Sequence, residues 1–89
     1  MNIKLEIINA IKASLQTLNY PGEPILEIPK DLNFGDYSTN IAMQLAGQLN
    51  KSPFDIANSI IENLPTLEFI KEIEVVKPGF INIKIKEFQ

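Results

Sequence analysis

Cysteine, histidine, tryptophan and arginine are all missing from this 89-residue chain. Without cysteine or histidine there is no thiolate or imidazole nucleophile, no imidazole general base, and none of the nitrogen or sulfur ligands that zinc prefers. No glycine-rich phosphate loop is present, and Asp31 and Asp36 have no basic or nucleophilic partner that would make them a general acid and base. The expectation is a chain with no catalytic residues, no metal site and no cofactor of its own.

Cationic charge is also scarce. Eight lysines face eleven acids, for a net charge of −3 and a pI near 4.8, a composition that argues against nucleic acid as a partner, DNA included. The shortage is uneven, because Lys71, Lys77, Lys84 and Lys86 outnumber Glu72, Glu74 and Glu87 in the last stretch. No apolar run approaches the roughly 18 residues of a membrane span. The start, Met1-Asn2-Ile3-Lys4-Leu5-Glu6, alternates charge where a signal peptide has an apolar core. The expected location is the cytoplasm, with no membrane partner.

What is present is an apolar fraction of 45%, enough for one small domain over residues 1–89 without disulfides or metal. Ile3, Ile7, Ile8, Ile11, Leu15 and Leu18 repeat with helical spacing and define an amphipathic first helix between Asn2 and Asn19. Tyr20-Pro21-Gly22-Glu23-Pro24 stops it, since proline lacks the amide hydrogen and disfavours helix in the residue before it. Ile25-Leu26-Glu27-Ile28 reads as a brief strand closed by Pro29, and a second helix is expected from near Ser38, with Ile41, Leu45 and Leu49 on its inner side. Ser52-Pro53-Phe54-Asp55 opens a third helix with a serine N-cap, proline at the first position and an acid in the first turn. It is expected to reach about Leu64, burying Ile56, Ala57, Ile60, Ile61 and Leu64.

Two β-like runs flank Pro78-Gly79 in the last segment, Glu72 to Lys86. A two-residue loop would mix apolar and polar side chains on both faces. A three-residue loop, Lys77-Pro78-Gly79, instead pairs Val75 with Ile81 and Ile73 with Ile83 on one face, and Glu74 with Asn82 and Glu72 with Lys84 on the other. Gly79 is then expected in the left-handed conformation. The resulting architecture is a two-layer α+β domain, with about three helices on one face of a small, mainly antiparallel sheet.

On this register Phe80, Asn82, Lys84 and Lys86 share the outer face, opposite Ile81, Ile83 and Ile85. A flat ring can stack on an unpaired base, an amide can bond to base edges and ammonium groups can meet phosphates, which is chemistry suited to looped RNA. The same spacing also fits a Phe80 packed beneath a helix or loop, with Asn82 and the lysines keeping the face soluble. Asp36 and Asn40 could pose as a ligand-binding pair, but they sit where a helix start calls for capping side chains.

Phe34-Gly35-Asp36-Tyr37-Ser38-Thr39-Asn40, then Lys51-Ser52-Pro53 with Ile56-Ala57, then Pro78-Gly79-Phe80-Ile81-Asn82-Ile83 follow one another in an order and spacing that resembles the N-terminal additional domain of arginyl-tRNA synthetases. The similarity covers nearly the whole chain. It implies a first domain that touches the D-loop at the elbow of tRNA(Arg), within an arginine-tRNA ligase whose catalytic and anticodon-binding domains are separate. The HIGH and KMSKS signatures of ATP binding do not occur in these residues. ATP with Mg would serve the catalytic domain of the parent chain, and the present domain would have no cofactor.

By the same resemblance, Phe80 and Asn82 match an aromatic and an amide that contact a D-loop nucleotide. Lys84 and Lys86 are the cations that spacing places on the same face, and Lys77, where bacterial relatives often carry a small residue, is a departure from the family that would add a phosphate contact. Gly35, Asp36, Tyr37, Asn40, Pro78 and Gly79 take structural roles: Gly35 permits a tight turn, Asp36 caps the second helix and Tyr37 anchors it. The competing expectation is a structural or protein-interaction module that makes no direct contact with RNA.

Overall fold

The computed structural model describes residues 2–87. Helix α1 spans Ile3–Leu18, where Asn2 caps its start by accepting from the Leu5 N–H and Asn19 ends it in the left-handed conformation. Ile7, Ile11 and Leu15 form its buried stripe together with Ala10 and Ser14. Ser14 is tolerated there because its hydroxyl donates to the Ile60 carbonyl at 2.6 Å.

Residues 20–36 are mostly irregular. The expected strand at Ile25–Ile28 is absent, and only Glu27 bridges to Ser38, through two backbone bonds of 2.8 Å. Leu26 is buried while Ile25 and Ile28 face solvent, so one side chain anchors the segment and no sheet face forms. A single turn of 3-10 helix at Leu32–Phe34 precedes Gly35.

The second helix does not begin near Ser38. Tyr37–Thr39 is a short strand, β1, and helix α2 runs from Ile41–Leu49. Strand pairing to a distant part of the chain takes these three residues away from the helix. Helix α3, Pro53–Glu62, starts as its sequence dictates: Ser52 Oγ accepts from the Asp55 N–H at 3.0 Å, and proline follows the cap. It ends at Glu62, two residues earlier than expected, although Ile61 and Leu64 still pack against the core.

Strands β2 (Ile70–Val76) and β3 (Phe80–Ile85) form the hairpin. Their register pairs Val75 with Ile81, Ile73 with Ile83, Glu74 with Asn82 and Glu72 with Lys84, as the three-residue loop requires. The loop itself differs from expectation. Lys77–Pro78 is a cis bond, and Gly79 is not in the left-handed region. Gly79 is needed for close packing instead, because a Cβ there would stand 2.7 Å from Pro53 Cβ and 3.0 Å from its carbonyl carbon.

The sheet is antiparallel with order β1-β3-β2, and the three helices cover one face. Ile81 and Ile83 point into that layer and meet Ile7, Ile11, Ile41, Ile56 and Ile60 in the core. The fold is therefore the expected two-layer α+β arrangement. No helix among the described residues is long and apolar enough to cross a membrane.

Candidate nucleic-acid interface

The side of the sheet away from the helices carries Phe80, Asn82 and Lys84 from β3, Ser38 from β1, and Glu72, Glu74 and Val76 from β2. The irregular segment before β1 folds along part of this side. Between them lies a cleft of about 470 Å³, whose lining includes Phe34, Phe80, Asn82, Ser38, Lys30 and Lys77. Ligand sites of this kind commonly measure about 300 to 1,000 Å³.

Three features hold the cleft in shape. Gly35 adopts φ +110°, and a Cβ there would lie 2.8 Å from the Ile83 carbonyl oxygen, so only glycine lets this turn approach β3. The Asp36 N–H donates to that same carbonyl at 2.8 Å, and Asp36 Oδ2 accepts from the Ile85 N–H at 2.7 Å. Asp36 thus fastens the turn to the end of β3 and is not the cap of α2. Thr39 Oγ1, buried beside the helix start, accepts from the Ile41 N–H at 3.2 Å, while Asn40 holds the cap position without a side-chain cap bond.

Tyr37, opposite Ile83 in β1, packs half-buried against the core and anchors the strand beside β3. Asn40 lines the cleft with its Oδ1 accepting from Gln44 Nε2 at 2.8 Å. At the other end, Pro78 and Gly79 form the hairpin loop against Pro53.

The two central side chains differ in setting. Phe80 is 38% exposed, which excludes the buried position that the spacing left open. Asn82 is only 8% exposed, and its Oδ1 accepts from the Ser38 hydroxyl at 2.7 Å. Its Nδ2 makes no hydrogen bond among the described residues.

Of the three lysines grouped with this pair, Lys77 lines the cleft and holds its ammonium 5.5 Å from the centre of the Phe54 ring. Lys84 lies instead beside Glu72 and Glu74, along the part of the outer face where β2 supplies carboxylates. Lys86 follows the end of β3, where its backbone N–H donates to the Phe69 carbonyl. The arrangement therefore unites Phe80, Asn82 and Lys77 and leaves Lys84 and Lys86 outside the cleft lining.

Lys30 enters the site without having been singled out, and Phe34 and Ser38 enter it from the first shared motif, in which neither had been given a role. Phe34 is 50% exposed, and its signals in the sequence were that motif and a large aromatic residue immediately before a glycine in a polar stretch. Among the described residues, no group of three or more acidic, cysteine or histidine side chains could hold a metal ion.

An aromatic-walled cleft with the amide of Asn82 at its centre and two flanking lysines can take a flat, polar ring attached to a phosphate chain. Comparisons with known proteins identify the family. Residues 2–85 match the family model described as the arginyl tRNA synthetase N terminal domain. The chain is 48% identical over 82 residues to an arginine-tRNA ligase of Listeria monocytogenes, covering 91% of this chain and 14% of that protein. It is 47% identical over 81 residues to the arginine-tRNA ligase of Mycoplasma mobile, covering 90% of this chain and 15% of that one. The chain thus spans about one seventh of the length of these relatives. In three dimensions it superposes on Thermus thermophilus arginyl-tRNA synthetase with a TM-score of 0.87 and 26% identity, over 96% of this chain and 14% of that one. Sequence match and superposition both run across the hairpin and the turn that build the cleft, and on that evidence the chain belongs to the arginyl-tRNA synthetase N-terminal domain family.

Proposed function

We propose that this domain recognises the elbow of tRNA(Arg) as part of an arginine-tRNA ligase, receiving one unstacked D-loop nucleotide in the outer cleft. Residues 1–89 would act as the tRNA-recognition domain, while ATP with Mg and the aminoacylation chemistry would belong to the catalytic domain of the parent chain. The observation that carries the reading is the position of Phe80 and Asn82 two residues apart on the uncovered side of β3, with Phe34 lining the same cleft. Either ring offers a stacking surface to a base. Asn82 offers a hydrogen bond to its edge, and Lys30 and Lys77 offer charge to the adjoining phosphates.

The net charge of −3 limits how many counterions such binding releases, so the 89 residues by themselves should hold tRNA weakly and chiefly supply discrimination. The test is aminoacylation kinetics in the ligase that carries this domain, with the D-loop nucleotide intact or abasic. Asn82→Ala should reduce the preference for the intact tRNA more than it reduces use of the abasic one. Equal preference in the variant and the wild type would contradict base reading by Asn82.

A second reading, docking on a neighbouring domain, draws on the acidic balance and on the exposed Ile28 in the cleft lining. It expects Phe80→Ala to impair charging of intact and abasic tRNA alike, whereas base stacking expects the loss to fall on the intact tRNA.

A further inference from the structure

Asn82 occupies the middle of a cross-strand row on the outer side, with Ser38 of β1 on one flank and Glu74 of β2 on the other. A primary amide is ambivalent by itself, because it can present either a carbonyl acceptor or an NH₂ donor to a ligand. Its surroundings remove that ambivalence here. The Ser38 hydroxyl donates to Asn82 Oδ1 at 2.7 Å and fixes the place of the amide, but a hydroxyl can equally accept from an NH₂ group, so the sense of the amide is set from the other side. On the other flank Glu74 is a carboxylate, which repels a carbonyl oxygen and favours the NH₂ group on its side.

Ser38 is itself fixed. Its backbone N–H and carbonyl are both bonded to Glu27 at 2.8 Å, and its strand is paired with β3 on the opposite edge. The hydroxyl therefore projects from a segment secured on both sides, next to an amide that is nine-tenths buried. The remaining polar atom, Nδ2, has no hydrogen-bond partner among the described residues, and Asn82 is part of the cleft lining.

We propose that Ser38 is a positioning residue that, with the Glu74 carboxylate on the opposite flank, holds the Asn82 amide as a hydrogen-bond donor, so that the cleft selects a nucleobase edge presenting an acceptor, a carbonyl oxygen or ring nitrogen, opposite Nδ2. This rests on the reading of the cleft as a nucleotide site and adds the polarity of the contact and the residue that sets it. A positioning role has a consequence that a purely structural one lacks: Ser38 should matter to recognition only while Asn82 is present.

The experiment uses the ligase carrying this domain and compares kcat/KM for tRNA with the D-loop nucleotide intact or abasic, the ratio of the two being the discrimination. Ser38→Ala should lower discrimination by roughly three- to tenfold, the scale of one hydrogen bond. Ser38→Thr keeps a hydroxyl on a strand and should discriminate like the wild type. In an Asn82→Ala background, Ser38→Ala should change nothing further. Asn82→Asp keeps the shape and can still accept from Ser38 but presents no donor, and it should lose discrimination at least as fully as Asn82→Ala.

Full discrimination by Ser38→Ala would overturn the proposal, as would independent, multiplicative losses from Ser38→Ala and Asn82→Ala. Retained discrimination by Asn82→Asp would overturn the donor assignment. If Asn82→Ala and Phe80→Ala both discriminate like the wild type, the nucleotide site itself is wrong, a different failure from an ineffective Ser38→Ala beside an effective Asn82→Ala. Because discrimination is a ratio measured on one enzyme preparation, partial loss of folded protein cancels from it, and Ser38→Thr checks the same point with the strand preserved.

Discussion

The two sides of β3 contrast within six residues, one sealed under the helices and the other bordering the cleft. On the inner side Ile81 and Ile83 are almost fully buried under the helices and connect the sheet to every helix of the core. On the outer side Phe80 keeps over a third of its surface exposed, and Asn82 is held by one side-chain bond while leaving a donor free. Neighbours in sequence thus face opposite tasks, because strand geometry sends alternate side chains to opposite faces. The inner side tolerates no polar group without a partner, whereas on the proposed reading the outer side would draw its use from groups left unpaired.

The sharpest way to break this division is to damage the inner side. Ile83→Ala removes a fully buried side chain from the centre of the core and should lower stability by about 2 to 5 kcal/mol, measured as the urea midpoint. A loss below 1 kcal/mol would mean that the helix-facing layer is not where the sheet is held.

Next in size is Gly35→Ala, which tests whether the cleft is built by the sheet or merely adjoins it. The new Cβ would meet the Ile83 carbonyl oxygen at 2.8 Å from a left-handed backbone, for an expected cost of about 2 to 4 kcal/mol. Unchanged stability would show that the turn can lift away from β3 without consequence.

Phe80→Ala should separate the two tasks in one residue. Folding stability should fall by less than about 1 kcal/mol, as for a substitution away from the core. A stacking contribution of about 1 to 3 kcal/mol should disappear from tRNA recognition. A large folding loss with intact recognition would reverse the assignment of that side. The smallest effect is expected from Lys84→Ala, which stands beside Glu72 and Glu74 and outside the cleft lining, and should stay within about 0.5 kcal/mol in stability.

The same division explains what could be read from the sequence. The hairpin register was legible because a single requirement, apolar residues together on one face, is met by only one loop length between Val75 and Ile81. Helices α1 and α3 were legible from apolar spacing and from the Ser52-Pro53 start. Where tertiary contacts decide the conformation, local pattern gave the wrong answer. Tyr37–Thr39 is too short for alternation to show, and it is a strand only because β3 and Glu27 lie on either side of it. Asp36 has the composition of a cap but bonds the Ile85 N–H, a partner 49 residues away. Gly79 was read as a conformational glycine, whereas the close approach of Pro53 is what excludes a side chain.

In the cleft, Phe80 and Asn82 were visible as a pair through period-two spacing on one strand. Phe34 and Ser38 were not, since their relation to that pair passes through the irregular segment and the long-range pairing of β1. The resemblance to the synthetase domain supplied the expectation of RNA contact, which composition, with its net charge of −3, argued against.

Placement of the base can be observed without relying on kinetics. In the ligase carrying this domain, a photoreactive nucleotide in the D-loop of tRNA(Arg) should cross-link to peptides containing Phe34 or Phe80, the two aromatic residues of the cleft lining. Cross-links confined to the helix layer, with neither peptide labelled, would show that the outer side of β3 does not hold the D-loop base.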